Sequence, residues 1–196
     1  MLPNFLRNIF VKLLGYDSRN WLRVRQIEAF TLFIKSRPPG DILEISPGWN
    51  EMWKKIGSKS YRSEDYPDFN ICKSPLSEQF DIVIADQVLE HVSHPIAAVA
   101  NILAMVRSGG AAMIATPFLF RVHARPHDYS RWTEVGLREI LIAGGFDPGS
   151  ITTGSWGNRA CVKAHIGGQV RDYGFWRNMS NDAEYPIMVW AIATRA

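Results

Sequence analysis

The sequence has little cysteine, no long apolar run and no dinucleotide-binding motif, and each absence narrows the class of protein. Its 196 residues include two cysteines, Cys72 and Cys161, which is too few for a disulfide framework, so a reducing cytoplasmic compartment is expected. No apolar run reaches about 18 residues, so we expect no membrane-spanning helix. The start lacks an unbroken apolar core and a small-residue cleavage site, which argues against a signal peptide. The pattern G-x-G-x-x-G is also missing, which disfavours a nicotinamide-dependent enzyme.

The charge is nearly balanced overall but unevenly spread. The formal net charge of +3 is too small to indicate a nucleic-acid partner. Seven Lys and Arg against two Asp and Glu lie in residues 1–37, so this segment carries +5 and the remainder about −2. The length and the 46% hydrophobic content suit a single globular domain, residues 1–196, with one core.

Apolar residues recur at helical spacing near the start of the chain. Residues 2–14 form one apolar stripe, and a second helix is predicted at about residues 18–34, before Pro38-Pro39-Gly40. Residues 1–37 therefore make an N-terminal helical extension. We expect the first stripe to pack on the domain or on a second copy in a homodimer. The alternative is that it lies peripherally on a membrane surface.

Apolar runs and helical periodicities alternate through the rest of the chain. Strands are predicted at residues 42–45, 59–63, 80–85, 111–116 and 187–194, and helices at residues 51–56, 95–106 and 133–143. Thr133 is the predicted N-cap of the last helix. This alternation indicates an α/β fold with a mostly parallel sheet covered on both faces. The long connection at residues 154–186 is a candidate substrate-side loop or lid.

One stretch, residues 41–50 (DILEISPGWN), combines an apolar strand, an acid and a tight turn. Glu44 interrupts the apolar run, and Pro47-Gly48 follows it at once. Gly48 has no Cβ, so the backbone there can turn sharply or approach a ligand closely. Ligands of open α/β sheets bind at the carboxyl ends of the strands, so we expect Glu44 over a ligand crevice. The alternative is an ordinary Pro-Gly turn with Glu44 in solvent.

Four segments, in this order, resemble motifs of the class I S-adenosylmethionine-dependent methyltransferases. LEISPG at residues 43–48 resembles the first motif, and FDIVIADQVLEHVSHP at residues 80–95 resembles the fourth-strand motif. VRSGGAAMIATP at residues 106–117 resembles the fifth strand, and HDYSRWTEVGLREILIAGGF at residues 127–146 resembles a segment of small bacterial members. The resemblance implies a Rossmann-like three-layer sandwich. Its sheet would have seven strands, mostly parallel, with the last strand antiparallel.

The same resemblance implies S-adenosylmethionine as cofactor and a set of contacts to it. Gly48 would lie against the ligand, and Glu44 would orient its ammonium group. Asp65 is expected to bind the ribose hydroxyls, with Glu64 as the fallback. The other predicted contacts are Ser46 and Pro47 in the first loop, Tyr66 over the adenine, Asn70, Ile71 and Cys72 at its edge, and Asp86, Gln87 and Val88 beside the methionine part.

His127 and Asp128 are the predicted catalytic residues, because they follow the strand whose carboxyl end faces the same crevice. A histidine can accept the proton that a hydroxyl or amine loses on methylation, and Asp128 could orient that ring or bind the acceptor. The alternative is structural, with Asp128 capping a turn. A basic cluster, formed by Arg121, His123, Arg125, His127 and Arg131, either binds an anionic acceptor or is a solvated loop.

Metal binding is not predicted. Glu90, His91 and His94 could suggest a metal, yet no further ligand stands at metal spacing, so structural roles are favoured. The predicted function is methyl transfer from S-adenosylmethionine to a small-molecule or glycan-like acceptor. The alternative is a non-catalytic binding or scaffold module of the same fold. It rests on Ser46 and Pro47, which stand where the family usually has small residues. Glu44 replaces the commoner aspartate of the family, an exchange that active members also carry.

Overall fold

The computed structural model describes residues 13, 16–17, 19–48, 52–166, 174–175 and 177–196, and a six-stranded sheet forms its centre. The strands are β1 (Asp41–Ile45), β2 (Ser60–Glu64), β3 (Phe80–Asp86), β4 (Val106–Pro117), β5 (Ile151–Trp156) and β6 (Met188–Thr194). Their order across the sheet is β2-β1-β3-β4-β6-β5. Strands β1 to β4 pair in parallel, whereas β6 runs antiparallel to both β4 and β5.

Helices cover both faces of this sheet. They are α1 (Val24–Lys35), α2 (Pro95–Met105), α3 (Glu134–Ala143) and α4 (Arg159–Ile166). Short 3-10 turns lie at Trp53–Lys55, Leu89–His91 and Pro148–Ser150. Tyr16–Asp17 pairs antiparallel with Gly174–Phe175 in a separate two-residue ladder.

The strand β3 shows how the sequence produces two cores. Successive side chains of a strand point to opposite faces. Ile82 and Ile84 accordingly join the cluster that contains Phe30 of α1. Val83 and Ala85 join the cluster on the other face, which includes Val99 of α2. Because both faces are covered, β3 reads as an almost continuous apolar run.

The α3 helix begins and ends where the sequence predicts. The Thr133 hydroxyl accepts a hydrogen bond from the backbone N–H of Gly136 at 3.1 Å, which satisfies one of the first N–H groups of the helix. At the other end, a Cβ on Gly144 would lie 2.3 Å from Val99 Cγ1. Only glycine therefore allows α3 to approach α2 this closely.

Two expectations about the sheet need correction. Among the described residues the central sheet has six strands rather than seven, although the last strand is antiparallel as predicted. Strand β5 was not predicted, and it includes the first three residues of the expected loop at residues 154–186. That loop also contains α4, so the part of it that the structure describes is not irregular throughout.

The N-terminal stripe at residues 2–14 lies outside the described residues apart from Leu13. None of the helices that the structure describes is long and apolar enough to cross a bilayer.

Candidate active site

A cleft of about 1380 Å³ opens at the carboxyl ends of β1, β2 and β3. Loops that follow these three strands supply much of its wall, and the loop after β4 supplies the opposite side. This is where open α/β sheets bind their ligands, because the strand ends and the loops after them leave a crevice there. The predicted cofactor residues that line the cleft are Glu44, Ser46, Pro47, Gly48, Asp65, Tyr66, Asn70, Ile71, Cys72, Asp86, Gln87 and Val88.

Glu44 is buried at the end of β1, with 3% of its surface exposed, so the alternative that it lies in solvent is wrong. The Tyr61 hydroxyl donates a hydrogen bond to its carboxylate. Burial raises the pKa of Glu44, and the negative charge of Asp86 adds to this effect. A ligand ammonium group beside Glu44 would relieve both effects, since it would supply the opposite charge.

The loop after β1 is shaped by an unusual backbone conformation at Ser46. Its φ of 51° lies in the left-handed region, where most side chains cost about 1–3 kcal/mol. The Ser46 N–H donates to the Glu64 carbonyl at 2.8 Å, which ties this loop to the end of β2. A Cβ built on Gly48, which lines the cleft, would meet no atom of the described residues within 4 Å.

Asp86, at the end of β3, accepts hydrogen bonds from three donors that the sequence did not predict. Its Oδ2 accepts hydrogen bonds from Arg23, from Gln26 at 3.3 Å and from the Trp53 indole at 3.3 Å. Its Oδ1 is buried and has no hydrogen-bond partner in the part of the chain that the structure describes. Arg23 and Asp86 are 63 residues apart, and nothing in the local sequence around Arg23 signals the pairing. The one available hint is polar Gln26, fully buried in a helix whose buried face is otherwise apolar.

The two candidate ribose acids, Asp65 and Glu64, have different surroundings. Asp65 is exposed and lines the cleft, and its Oδ1 accepts a hydrogen bond from the Tyr66 N–H at 2.9 Å. Glu64 does not line the cleft, and its carboxylate pairs with Arg62 at 2.6 Å. Tyr66 is 60% exposed beside Asp65. The geometry therefore favours Asp65 as the acid that could reach a ligand in the cleft.

The loop after β3 carries a second strained residue. Gln87 has a φ of 64°, its N–H donates to the Ala115 carbonyl at 2.8 Å, and its side-chain amide lies 3.1 Å from Met188 Sδ. Val88 is buried next to it. Among the described residues, Ser46 and Gln87 are the two non-glycine residues with positive φ, and both line the cleft. Strain of this kind is typical of functional loops.

His127 and Asp128 do not act as a pair in this structure. His127 is exposed in the cleft wall, with its ring 5.3 Å from the Tyr129 ring. Asp128 is outside the cleft lining, and its carboxylate binds the Arg131 guanidinium through both oxygens and the His123 N–H at 2.8 Å. The guanidinium lowers the pKa of Asp128 to about 2. The structural alternative for Asp128 therefore fits its contacts, whereas His127 remains placed to meet an acceptor.

The predicted basic cluster divides into two groups. Arg121 and Arg125 line the cleft together with His123 and His127, whereas Arg131 is held by Asp128. This end of the cleft is therefore positively charged, and it lies opposite the loops of β1 and β2.

The sequence model of the methyltransferase domain family matches residues 1–140, about seven-tenths of the chain. The chain belongs to this methyltransferase family. No curated protein sequence matches it significantly.

Solved methyltransferase structures share the fold of this methyltransferase at low sequence identity. The N-methyltransferase NodS from Bradyrhizobium japonicum WM9, in complex with S-adenosyl-L-homocysteine, superposes with a TM-score of 0.54 and 13% identity over 92% of this chain and 90% of that one. A possible histamine N-methyltransferase from Thermotoga maritima superposes with a TM-score of 0.58 and 11% sequence identity, over 98% of this chain and 95% of that one. A third structure is phosphoethanolamine N-methyltransferase 2 from Haemonchus contortus in complex with phosphomonomethylethanolamine and S-adenosylhomocysteine. It superposes with a TM-score of 0.57 and 10% sequence identity, over 88% of this chain and 52% of that one.

Family and fold together confirm the class that the sequence motifs predict. The protein is a class I S-adenosylmethionine-dependent methyltransferase with a Rossmann-like fold. The family assignment favours an enzyme over a non-catalytic scaffold. The roles of individual residues in the cleft remain predictions.

Proposed function

We propose that this methyltransferase acts on a small-molecule acceptor that carries an anionic group. The observation that carries the proposal is the division of the cleft into two chemically different ends. One end has the acids Glu44, Asp65 and Asp86, and the other has Arg121 and Arg125. A volume of about 1380 Å³ exceeds the roughly 300–1,000 Å³ of a typical ligand pocket, so the cleft has room for a cofactor and a small acceptor together.

The residues at the acidic end fit the groups that S-adenosylmethionine presents. Two buried acceptors suit its ammonium group. Burial raises the pKa of Glu44, and the Oδ1 of Asp86 has no hydrogen-bond partner among the described residues. Arg23, which is bound to Asp86, lines the same part of the cleft and suits the carboxylate of the cofactor. Asp65 is the acceptor for the ribose hydroxyls, and Tyr66 beside it offers a ring to the adenine.

The cofactor supplies an electrophilic methyl group, and the protein has to orient the acceptor against it. Holding two reactants in line can lower a barrier by about 7–11 kcal/mol, so no catalytic triad is required. Arg121 and Arg125 would position the anionic group of the acceptor through charge-assisted hydrogen bonds. His127 would accept the proton that the acceptor atom loses, because its ring is exposed in the same wall of the cleft.

A substrate screen with arginine variants tests the proposal. The purified enzyme is incubated with S-adenosylmethionine and matched small molecules with and without a phosphate or carboxylate group, and S-adenosylhomocysteine formation is measured. We expect turnover with anionic members. The double variant Arg121→Met with Arg125→Met should raise KM for them about tenfold to a hundredfold, because hydrogen bonds to charged groups are worth about 1.5–3 kcal/mol.

A matched control separates this effect from a general loss of positive charge. Arg25→Met removes an arginine of α1 that pairs with Glu28 outside the cleft, so KM should stay at the parent value. Calorimetric titration should show that the double variant keeps its affinity for S-adenosylmethionine. Equal KM values for the parent and the double variant would contradict an anionic acceptor.

A further inference from the structure

Three potential metal ligands meet beside the cleft, although the sequence places one of them far from the other two. Glu90 and His91 lie on the 3-10 turn that follows β3, and His123 lies in the loop after β4. One ligand atom from each residue lies within 4.8 Å of the others. Glu90 Oε1 is 3.6 Å from His91 Nε2 and 3.7 Å from His123 Nε2. His94, which the sequence suggested together with Glu90 and His91, is instead hydrogen-bonded through Nδ1 to the Ser93 hydroxyl at 2.8 Å.

The carboxylate of Glu90 receives no hydrogen bond of ordinary length from any residue that the structure describes. The side chain is completely buried, and its nearest potential donors are the Nε2 atoms of His91 and His123, at 3.6 and 3.7 Å. An ionised carboxylate without partners is costly to bury, by several kcal/mol even after local relaxation. A native protein therefore needs a cation or a proton at this position.

The Nδ1 atom of each imidazole lies next to hydrogen-bond acceptors. His91 Nδ1 lies 2.6 Å from the backbone carbonyl oxygen of His127. His123 Nδ1 lies 3.3 Å from Asp128 Oδ2 and 3.4 Å from the Arg121 carbonyl oxygen. Carbonyl and carboxylate oxygens only accept, so each Nδ1 carries the ring proton. In the neutral rings each Nε2 therefore carries a lone pair, and these two atoms lie 3.6 and 3.7 Å from Glu90 Oε1.

When both imidazoles are neutral, three acceptors lie together without a donor between them; in the absence of an ion, Glu90 raises the pKa of His123. Hydrogen bonds from Nδ1 to carbonyl and carboxylate groups are the usual support of metal-bound histidines, because they orient the ring and fix its tautomer. Ligand atoms about 2.0–2.2 Å from a tetrahedral ion are about 3.3–3.6 Å apart. The two separations from Glu90 Oε1, 3.6 and 3.7 Å, need to close by only a few tenths of an ångström, whereas the two imidazole ligand atoms, within 4.8 Å of each other, can need a larger shift.

We propose that Glu90, His91 and His123 bind one divalent transition-metal ion, with Zn²⁺ as the ion that best fits two imidazoles and a carboxylate. Both histidines line the cleft, whereas Glu90 is behind them, so the remaining coordination position faces the acceptor end. An oxygen or anionic group of the acceptor could take that position. Metal binding at this site does not depend on the identity of the acceptor.

Metal titration of the full chain tests the proposal. The purified protein is stripped with a chelator, dialysed and titrated with Zn²⁺ in a calorimeter, and Co²⁺ is added separately to obtain a visible absorption spectrum. We expect one ion per chain and a Co²⁺ spectrum typical of low coordination number. Glu90→Gln and His123→Gln should each weaken Zn²⁺ binding at least about a hundredfold, since loss of a supporting group alone costs about 10–100-fold.

The control is His94→Gln, which alters a neighbouring histidine outside the cluster and should bind Zn²⁺ like the parent. Circular dichroism checks that each variant folds. If Glu90→Gln does not fold, His123→Gln at the cleft wall still decides the question. Absence of stoichiometric binding by the parent would overturn the proposal, as would equal binding by the parent and His123→Gln. Titration with S-adenosylmethionine is measured separately, so failure of the metal site leaves the cofactor site testable.

Discussion

Asp65 offers the sharpest test of the cofactor site, because its neighbour Glu64 provides a matched control. Asp65→Ala removes an exposed carboxylate from the cleft wall, and its one described hydrogen bond is from the adjacent Tyr66 N–H. The change leaves no buried group without a partner, so we expect little change in thermal stability. A hydrogen bond to a charged acceptor is worth about 1.5–3 kcal/mol, so affinity for S-adenosylmethionine should fall about tenfold to a hundredfold.

The assay is calorimetric titration of the parent, Asp65→Ala and Glu64→Ala with S-adenosylmethionine under one set of conditions. Glu64→Ala also removes an acid at the end of β2, but this acid pairs with Arg62 outside the cleft lining. Its affinity should therefore match that of the parent. Parent-like affinity in Asp65→Ala, or a larger loss in Glu64→Ala, would refute the placement of the ribose.

Three further predictions follow from the same structure. Gly48→Val should lower affinity for S-adenosylmethionine in calorimetry while leaving the melting temperature unchanged, because a Cβ there meets none of the described residues within 4 Å; unchanged affinity would contradict close approach of the ligand. His127→Ala should lower turnover about 10²–10⁴-fold at unchanged cofactor affinity, measured with one acceptor and saturating S-adenosylmethionine. Unchanged turnover would assign the residue to packing or acceptor binding. Asp128→Asn should lower the free energy of unfolding at pH 7 by about 1–2 kcal/mol after allowance for solvent screening, because the Arg131 guanidinium lowers the pKa of Asp128 from 3.8 to about 2. This stabilisation is present above about pH 4 and is lost as the pH falls towards 2, so urea unfolding of the parent and the variant should differ less at pH 2 than at pH 7.

The sequence predicts the buried parts of the fold better than the sheet edge. Strand β3 and helix α3 lie within a residue or so of their predicted bounds, because a continuous apolar run and an N-cap threonine are strong local signals. Strand β5 was missed because its sequence, ITTGSW, buries only Ile151 and Trp156. Its four central residues are polar or glycine, and its partner β6 is more than thirty residues away in the chain.

The candidate site was also predicted in part from the sequence. Residues at the carboxyl ends of strands or directly after them, such as Glu44, Asp86 and Asp65, could be placed from the sequence because parallel strands end at one edge of the sheet. Arg23 and His123 could not be assigned to their acidic partners, since each pairing depends on how distant segments pack. The hydrogen bonds between Asp128 and Arg131 also required the three-dimensional structure, because spacing alone did not distinguish them from a contact with His127.

A crystal structure of the protein with S-adenosylhomocysteine tests the central claim most directly. We predict that its ribose binds Asp65, that its amino group lies between Glu44 and Asp86, and that its chain passes Gly48. The adenine should lie beside Tyr66, and the sulfur should face the end of the cleft that contains His127. The proposed site would be contradicted by well-ordered ligand elsewhere on the protein. An empty cleft in crystals grown or soaked with saturating S-adenosylhomocysteine would contradict it as well.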